Sequence, residues 1–142
     1  MAQVRYVLDT DTVTYQQAGR ATILRQLSQI DPAIVATTVV TLYEQLRGRL
    51  AVINRQQDDQ ARQVAYRRLQ ETHGYFCRVP VLSFDGDAAE TYRQLINQGL
   101  RIGAQDLQIA AIVLACGAVL VTSNRRHFDQ VPELTIEDWA TS

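Results

Sequence analysis

Asp9, Glu44 and Asp106 are carboxylates at positions where burial is costly unless a cation shares the site. Asp9 closes the run Arg5-Tyr6-Val7-Leu8, which reads as a buried parallel strand delivering an acid to its carboxyl end. In open α/β sheets, ligands bind in the crevice beyond those ends. Glu44 borders an apolar helical stripe. Asp106 lies three, four and seven residues before Ile109, Ala110 and Val113, on a face expected to be buried. Hard divalent ions such as Mg²⁺ and Mn²⁺ take oxygen ligands and keep waters for a substrate phosphate and a nucleophile. Converging carboxylates therefore point to metal-assisted phosphodiester hydrolysis.

Each acid also has a plainer reading. Asp9 or Asp106 could cap a helix, and Glu44 could be a charge favoured by the helix dipole. Beside Asp9, Asp11 is the better cap candidate, which leaves Asp9 for other work. The strand end Val121-Thr122-Ser123-Asn124 adds Thr122 and Asn124 as weaker, uncharged oxygen donors, or as simple turn residues.

The elements that must position these groups alternate between strand and helix. Strands are expected at Val4 to Asp9, Ile34 to Thr38, Val79 to Leu82, Ala118 to Val121 and, briefly, Leu134 to Ile136. A helix over Ile23 to Ile30 stops at Asp31-Pro32. Thr38 caps the next, whose inward stripe reads Val39, Leu42, Tyr43, Leu46 and Leu50. A polar helix from about Gln56 to His73 turns Ala61, Val64, Ala65 and Leu69 inward and Arg62, Arg67 and Arg68 outward. Asp85 caps a helix from Ala88 to Gln98, closed by Gly99. Gly103-Ala104-Gln105-Asp106 opens another, ended by Gly117. This alternation implies one α/β domain over residues 1–142, with a parallel sheet of about four to five strands flanked by helices.

Composition narrows the classes. With 46% hydrophobic and 20% charged residues the chain is globular, not disordered. No signal-like or bilayer-length apolar segment stands out, so a soluble cytoplasmic protein is expected. Cys77 and Cys116 read as reduced core thiols, and His73 and His127 lack zinc-ligand spacing. All 14 basic residues are arginine. Arginine's fork suits phosphate, and metal neutralisation of the three acids would turn the formal charge of −1 positive.

On these residues the sequence resembles the PIN-domain family, and within it the VapC-type toxins of bacterial toxin–antitoxin pairs. Tyr6-Val7-Leu8-Asp9-Thr10-Asp11 is similar to the family's opening motif, and Thr41 to Gly48 to its glutamate helix. Ile102 to Ala111 is similar to its third motif, and Leu120 to Phe128 with Val131 to Leu134 to its closing segment. The resemblance implies a three-layer PIN-like fold and a Mg²⁺- or Mn²⁺-dependent endoribonuclease, with Asp9, Glu44 and Asp106 as ligands and catalytic acids. It further implies RNA as substrate, transfer RNA among the common targets, a cognate antitoxin that inhibits the enzyme, and a homodimer. Arg47, Arg101, Arg125 and Arg126 adjoin the motifs and are candidate RNA contacts.

The chain departs from the pattern where the family often has a fourth acid. Asn124 and His127 occupy those positions, with Asp129 a nearby substitute. This leaves open one metal or two, and a catalytically decayed PIN-fold module that binds RNA or protein without cutting. Leu8 to Val13 also fits the opening of haloacid-dehalogenase-like phosphatases, but that mechanism needs a lysine and the chain has none.

Overall fold

The apolar run that stops on Asp9 becomes β1 (Tyr6–Leu8), the middle strand of five. In the computed structural model, which describes residues 3–141, it pairs in parallel with β2 (Val35–Thr38) and β4 (Val119–Val121). β3 (Val81–Leu82) and β5 (Ile136–Glu137) are the edges, giving the order β3-β2-β1-β4-β5 with every pair parallel. The chain winds outward from β1 through β2 to β3, then returns to β4 on the other side. The boundary between β1 and β4 is thus the topological switch point, where neighbouring connections leave in opposite directions and open a crevice.

Alternation along the strands builds three layers. Val7 and Leu120 join a core with α5 (Gly86–Asn97) and α6 (Ala104–Cys116). Their neighbours Leu8 and Val121 face the opposite side. There they meet Val13 of α1 (Thr10–Gln17), Ile23 of α2 (Ala21–Ser28) and Tyr75 and Phe76 of α4 (Asp59–Arg78). α3 (Val39–Arg55) connects β2 to α4, and a short α7 (Arg125–Phe128) follows β4. No helix among the described residues is long and apolar enough to cross a membrane.

The expected strands form, in the expected parallel arrangement; β1 to β4 are shorter than expected, and β5 is displaced to Ile136–Glu137. Several helical expectations need correction. Asp9, not Asp11, caps α1: its Oδ1 accepts the Thr12 N–H at 2.9 Å. That helix, Thr10–Gln17, is not among the expected elements. The stripe expected to face inward on α3 is partly solvent-facing, with Val39, Tyr43 and Leu50 exposed. Val40, Thr41, Gln45 and Ile53 are buried instead. The inward face carries polar groups because α1 supplies their partners. Gln45 donates to Thr14 Oγ1 and accepts from Gln17 Nε2, at 3.0 and 2.9 Å. On α4, Val64 is exposed, and Cys77 is an exposed thiol rather than a core one; Cys116 is half-buried.

Gly117 closes α6 with φ +70°, the left-handed conformation that lets the chain turn straight into β4. An added Cβ would meet nothing within 4 Å, so only the backbone objects. Gly117→Ala is expected to cost about 1 kcal/mol, lowering the melting temperature by roughly 3–4 °C in a thermal unfolding scan. An unchanged melt would show that the turn relaxes.

Candidate active site

Strand order decides where the first carboxylate stands. Asp9 leaves β1 at the switch point and is only 4% exposed. Its Oδ2 accepts from the Thr122 hydroxyl at 2.5 Å, just beyond the end of β4. That hydroxyl in turn accepts the Asn124 N–H at 2.9 Å. Thr12 on α1 donates its own hydroxyl to the Val121 carbonyl at 3.0 Å. The ends of β1 and β4 and the start of α1 are therefore laced together around one acid. Burial drives the Asp9 pKa up to about 6, against the pull of the Thr122 and Thr12 hydrogen bonds.

Glu44 reaches the site from the second turn of α3. The Thr10 hydroxyl, one residue after Asp9, donates to Glu44 Oε1 at 2.7 Å and lies 3.1 Å from Thr41 Oγ1. Asp106 sits in the first turn of α6, where the helix dipole favours a negative charge. Its Oδ2 is 3.7 Å from His127 Nδ1, which also contacts Asn124 Nδ2 at 3.1 Å. Burial raises the pKa of both Glu44 and Asp106. The hydrogen bond from Thr10 opposes the rise at Glu44, and His127 opposes it at Asp106.

Asp11 shares this region: its charge disfavours ionisation of Asp9, Glu44 and Asp106 alike, and Asp106 does the same to Glu44. The expected acids are thus electrostatic neighbours, and Asp11 joins them. It stands in the opening motif, so its position was visible although its part was not. His127, read as a departure, stands 3.7 Å from Asp106 and draws its pKa down. Among the described residues, however, no three His, Cys, Asp or Glu side chains draw close enough to hold a metal ion. Asp9 and Glu44 are hydrogen-bonded to threonines instead, and Asp106 stands 3.7 Å from His127. The donor chemistry nonetheless fits Mg²⁺ or Mn²⁺: the groups are oxygen donors, crowded in negative charge, with no lysine to neutralise them. Such ions are commonly held by one or two carboxylates, with water completing the shell.

Of the weaker candidates, Thr122 contacts Asp9 directly, whereas the Asn124 side chain faces His127. Arg47 lines a cleft of about 260 Å³ together with Glu44 and Gln105. Arg125 pairs with Asp129 at 4.0 Å, so Asp129 is engaged on α7 rather than serving as a fourth acid. Arg101 and Arg126 are exposed.

A sheet ordered around this switch point, with acids from β1, α3 and α6, defines a class that sequence comparison also finds. A family model for the PIN domain matches residues 6–134. The chain belongs to the PIN-domain family. It is 26% identical over 140 residues to a tRNA(fMet)-specific endonuclease VapC from Salmonella typhimurium, covering 96% of this chain and 98% of that one. It is 28% identical over 136 residues to a Ribonuclease VapC1 from Haemophilus influenzae, covering 94% and 97%. A crystal structure of DNA-bound VapBC from Salmonella typhimurium superposes with a TM-score of 0.78 at 26% identity, covering 96% of this chain and 99% of that one.

The Asp9 pKa gives a testable sign. A carboxyl whose pKa rises on folding binds its proton more tightly in the folded state. Its contribution to stability is greatest below 3.8 and is lost as pH rises through about 6. The loss is roughly 3 kcal/mol at most. Asp9→Asn should therefore melt higher than the native protein well above pH 6, and the gap should close in acid. A gap independent of pH, measured by thermal unfolding across a pH series, would overturn the assignment.

Proposed function

We propose that the chain is a VapC-like endoribonuclease that hydrolyses RNA phosphodiester bonds at the Asp9, Glu44 and Asp106 site. The observation that carries this is that three carboxylates, each at least partly buried and of raised pKa, all feel the charge of Asp11 in a PIN-family fold. Relatives named as ribonucleases, matched over nearly their whole length, support it. The whole span works as one domain in this reading.

Asp9, Glu44 and Asp106 would hold Mg²⁺ or Mn²⁺, directly or through water, with Thr122 and Asn124 as uncharged neighbours. A bound divalent ion supplies the Lewis acidity that activates water and screens the phosphate from the acids. The protein's own groups do the rest. Thr122 and Thr12 fix the Asp9 carboxylate, Thr10 fixes that of Glu44, and His127 stands 3.7 Å from Asp106. Arg47 is placed beside Glu44 to meet a phosphate, and Arg101, Arg125 and Arg126 are further candidates for the RNA backbone.

Asp106→Asn keeps the shape and removes the charge. Metal-dependent RNA cleavage should fall at least a hundredfold while the melting temperature stays close to native. Undiminished cleavage, assayed with Mn²⁺ and then with chelator, would refute the assignment. Non-acidic Asn124 and His127 favour a second reading, a PIN-fold module that binds without cutting. RNA binding by the native chain with no metal-dependent cleavage would select it.

The complex of VapC with VapB in the Salmonella structure supports a cognate antitoxin as partner in the cytoplasm. Exposed Val39, Tyr43 and Leu50 leave apolar surface on α3 for an assembly, the homodimer included. Co-expression with a small neighbour-encoded protein should yield a complex built on two copies of the 16.0 kDa chain. A partner-free monomer by light scattering would remove both.

A further inference from the structure

Behind α1, on the side away from Arg47, lies a polar cleft of about 630 Å³ that none of the three carboxylates lines. Its walls come from α1, α2, α3 and α4 and carry three arginines, Arg49, Arg68 and Arg78, against a single acid, Glu71. Among the described residues none of the three is ion-paired. Arg49 spends Nε on the Thr72 hydroxyl at 3.0 Å, which fixes its side chain and leaves the terminal nitrogens of the fork. Arg78 lies close enough to Tyr75 to bear on its hydroxyl, which donates to Gln16 Oε1 at 2.7 Å. A volume of this size is ordinary for a ligand site. Three unpaired guanidinium groups facing it call for anions.

Hydrogen bonds tie the wall of the cleft to the acidic site. Thr14 lines it, and the Thr14 hydroxyl donates to the carbonyl of Thr10, one helical turn back. Thr10 in turn holds Glu44. On α3, Arg49 follows one turn after Gln45, the residue next to Glu44, and Gln45 bridges Thr14 and Gln17. The near wall of the cleft thus starts about 6 Å along α1 from the residue that holds a candidate catalytic acid.

We infer that this cleft binds the phosphate backbone of the RNA strand flanking the cut, through Arg49, Arg68 and Arg78. The inference rests on the nuclease reading of the acidic site and names where its substrate lies. A polyanion led toward a cluster of carboxylates needs cations on its approach, and arginine's fork meets two phosphate oxygens at once. The cleft offers that charge outside the acidic pocket, so phosphates are held without neutralising the acids that must take the metal. RNA is favoured over an acidic protein segment by the short distance along α1 to the proposed cutting site and by Arg47 on the opposite flank of α3.

The test is equilibrium binding of a fluorescein-labelled single-stranded RNA to the full chain, in chelator so that nothing is cut, across a KCl series. Each phosphate contact contributes about 0.7 to the slope of log affinity against log salt. R49Q/R68Q/R78Q should therefore flatten the slope by about 2. R68Q/R78Q, which spares the Arg49–Thr72 bond, should flatten it by about 1.4, and serves if the triple variant unfolds. R25Q/R55Q/R93Q removes three exposed arginines elsewhere and should leave the slope near native. Equal flattening by this control, or a native slope in the cleft variants, overturns the proposal. Loss of a co-expressed partner protein with an unchanged RNA slope makes the cleft a protein-docking site and overturns it too. Metal-dependent cleavage by the native chain is scored separately. If that fails while the slopes behave as stated, the nuclease reading falls and the RNA cleft stands.

Discussion

A short hydrogen bond between the Thr122 hydroxyl and the Asp9 carboxylate joins the ends of the two central strands. Around it the crevice takes shape. Asp9 must be extended to leave β1, yet its other oxygen starts α1 by capping Thr12. One side chain therefore ends a strand, opens a helix and presents a charge at the switch point. Such economy is costly, because the group is nearly enclosed and resists ionisation. Natural sheets tolerate strain of this kind where something else must be gained.

The partners given to the acids are informative in kind. Asp9 and Glu44 are held by threonine hydroxyls, and Asp106 stands beside a histidine ring. Hydroxyls orient a carboxylate without cancelling its charge. Among the described residues no arginine forms an ion pair with any of the three. Arg47 on α3 stands beside Glu44, and Arg49, Arg68, Arg78 and Arg125 stand further off on α3, α4 and α7. Negative potential is thereby concentrated in the crevice and positive charge kept on its approaches, a separation that suits a site awaiting a cation and a polyanion together.

Much of this was legible in the residues. The strands announced themselves because both faces of a parallel sheet are buried and the runs are nearly continuous apolar. Asp9, Glu44 and Asp106 were legible as acids at apolar borders. Less visible was α1, whose Thr-Asp-Thr-Val-Thr-Tyr-Gln-Gln sequence has no apolar period to detect. It is a helix because its polar residues find partners on α3, and the same pairing turned α3 so that Gln45 went in and Tyr43 stayed out. Periodicity scores hydrophobicity, and this interface is built from amides and hydroxyls. Asp11, His127 and the arginine cleft were hidden for a related reason: each depends on which distant segments meet, which spacing along the chain does not encode.

The register of the central strands has a consequence for the order in which a ribosome makes this molecule. β1 lies between β2 and β4, and the residue that clasps Asp9 is 113 positions downstream. A nascent chain that has emerged only as far as α5 has three strands and an unfilled slot beside β1. Its first acid then lacks both the threonine clasp and, still unmade, the helix that brings Asp106. Assembly of the crevice waits until Thr122 has been made, so products that stop before it are left without the arrangement that distinguishes the finished fold.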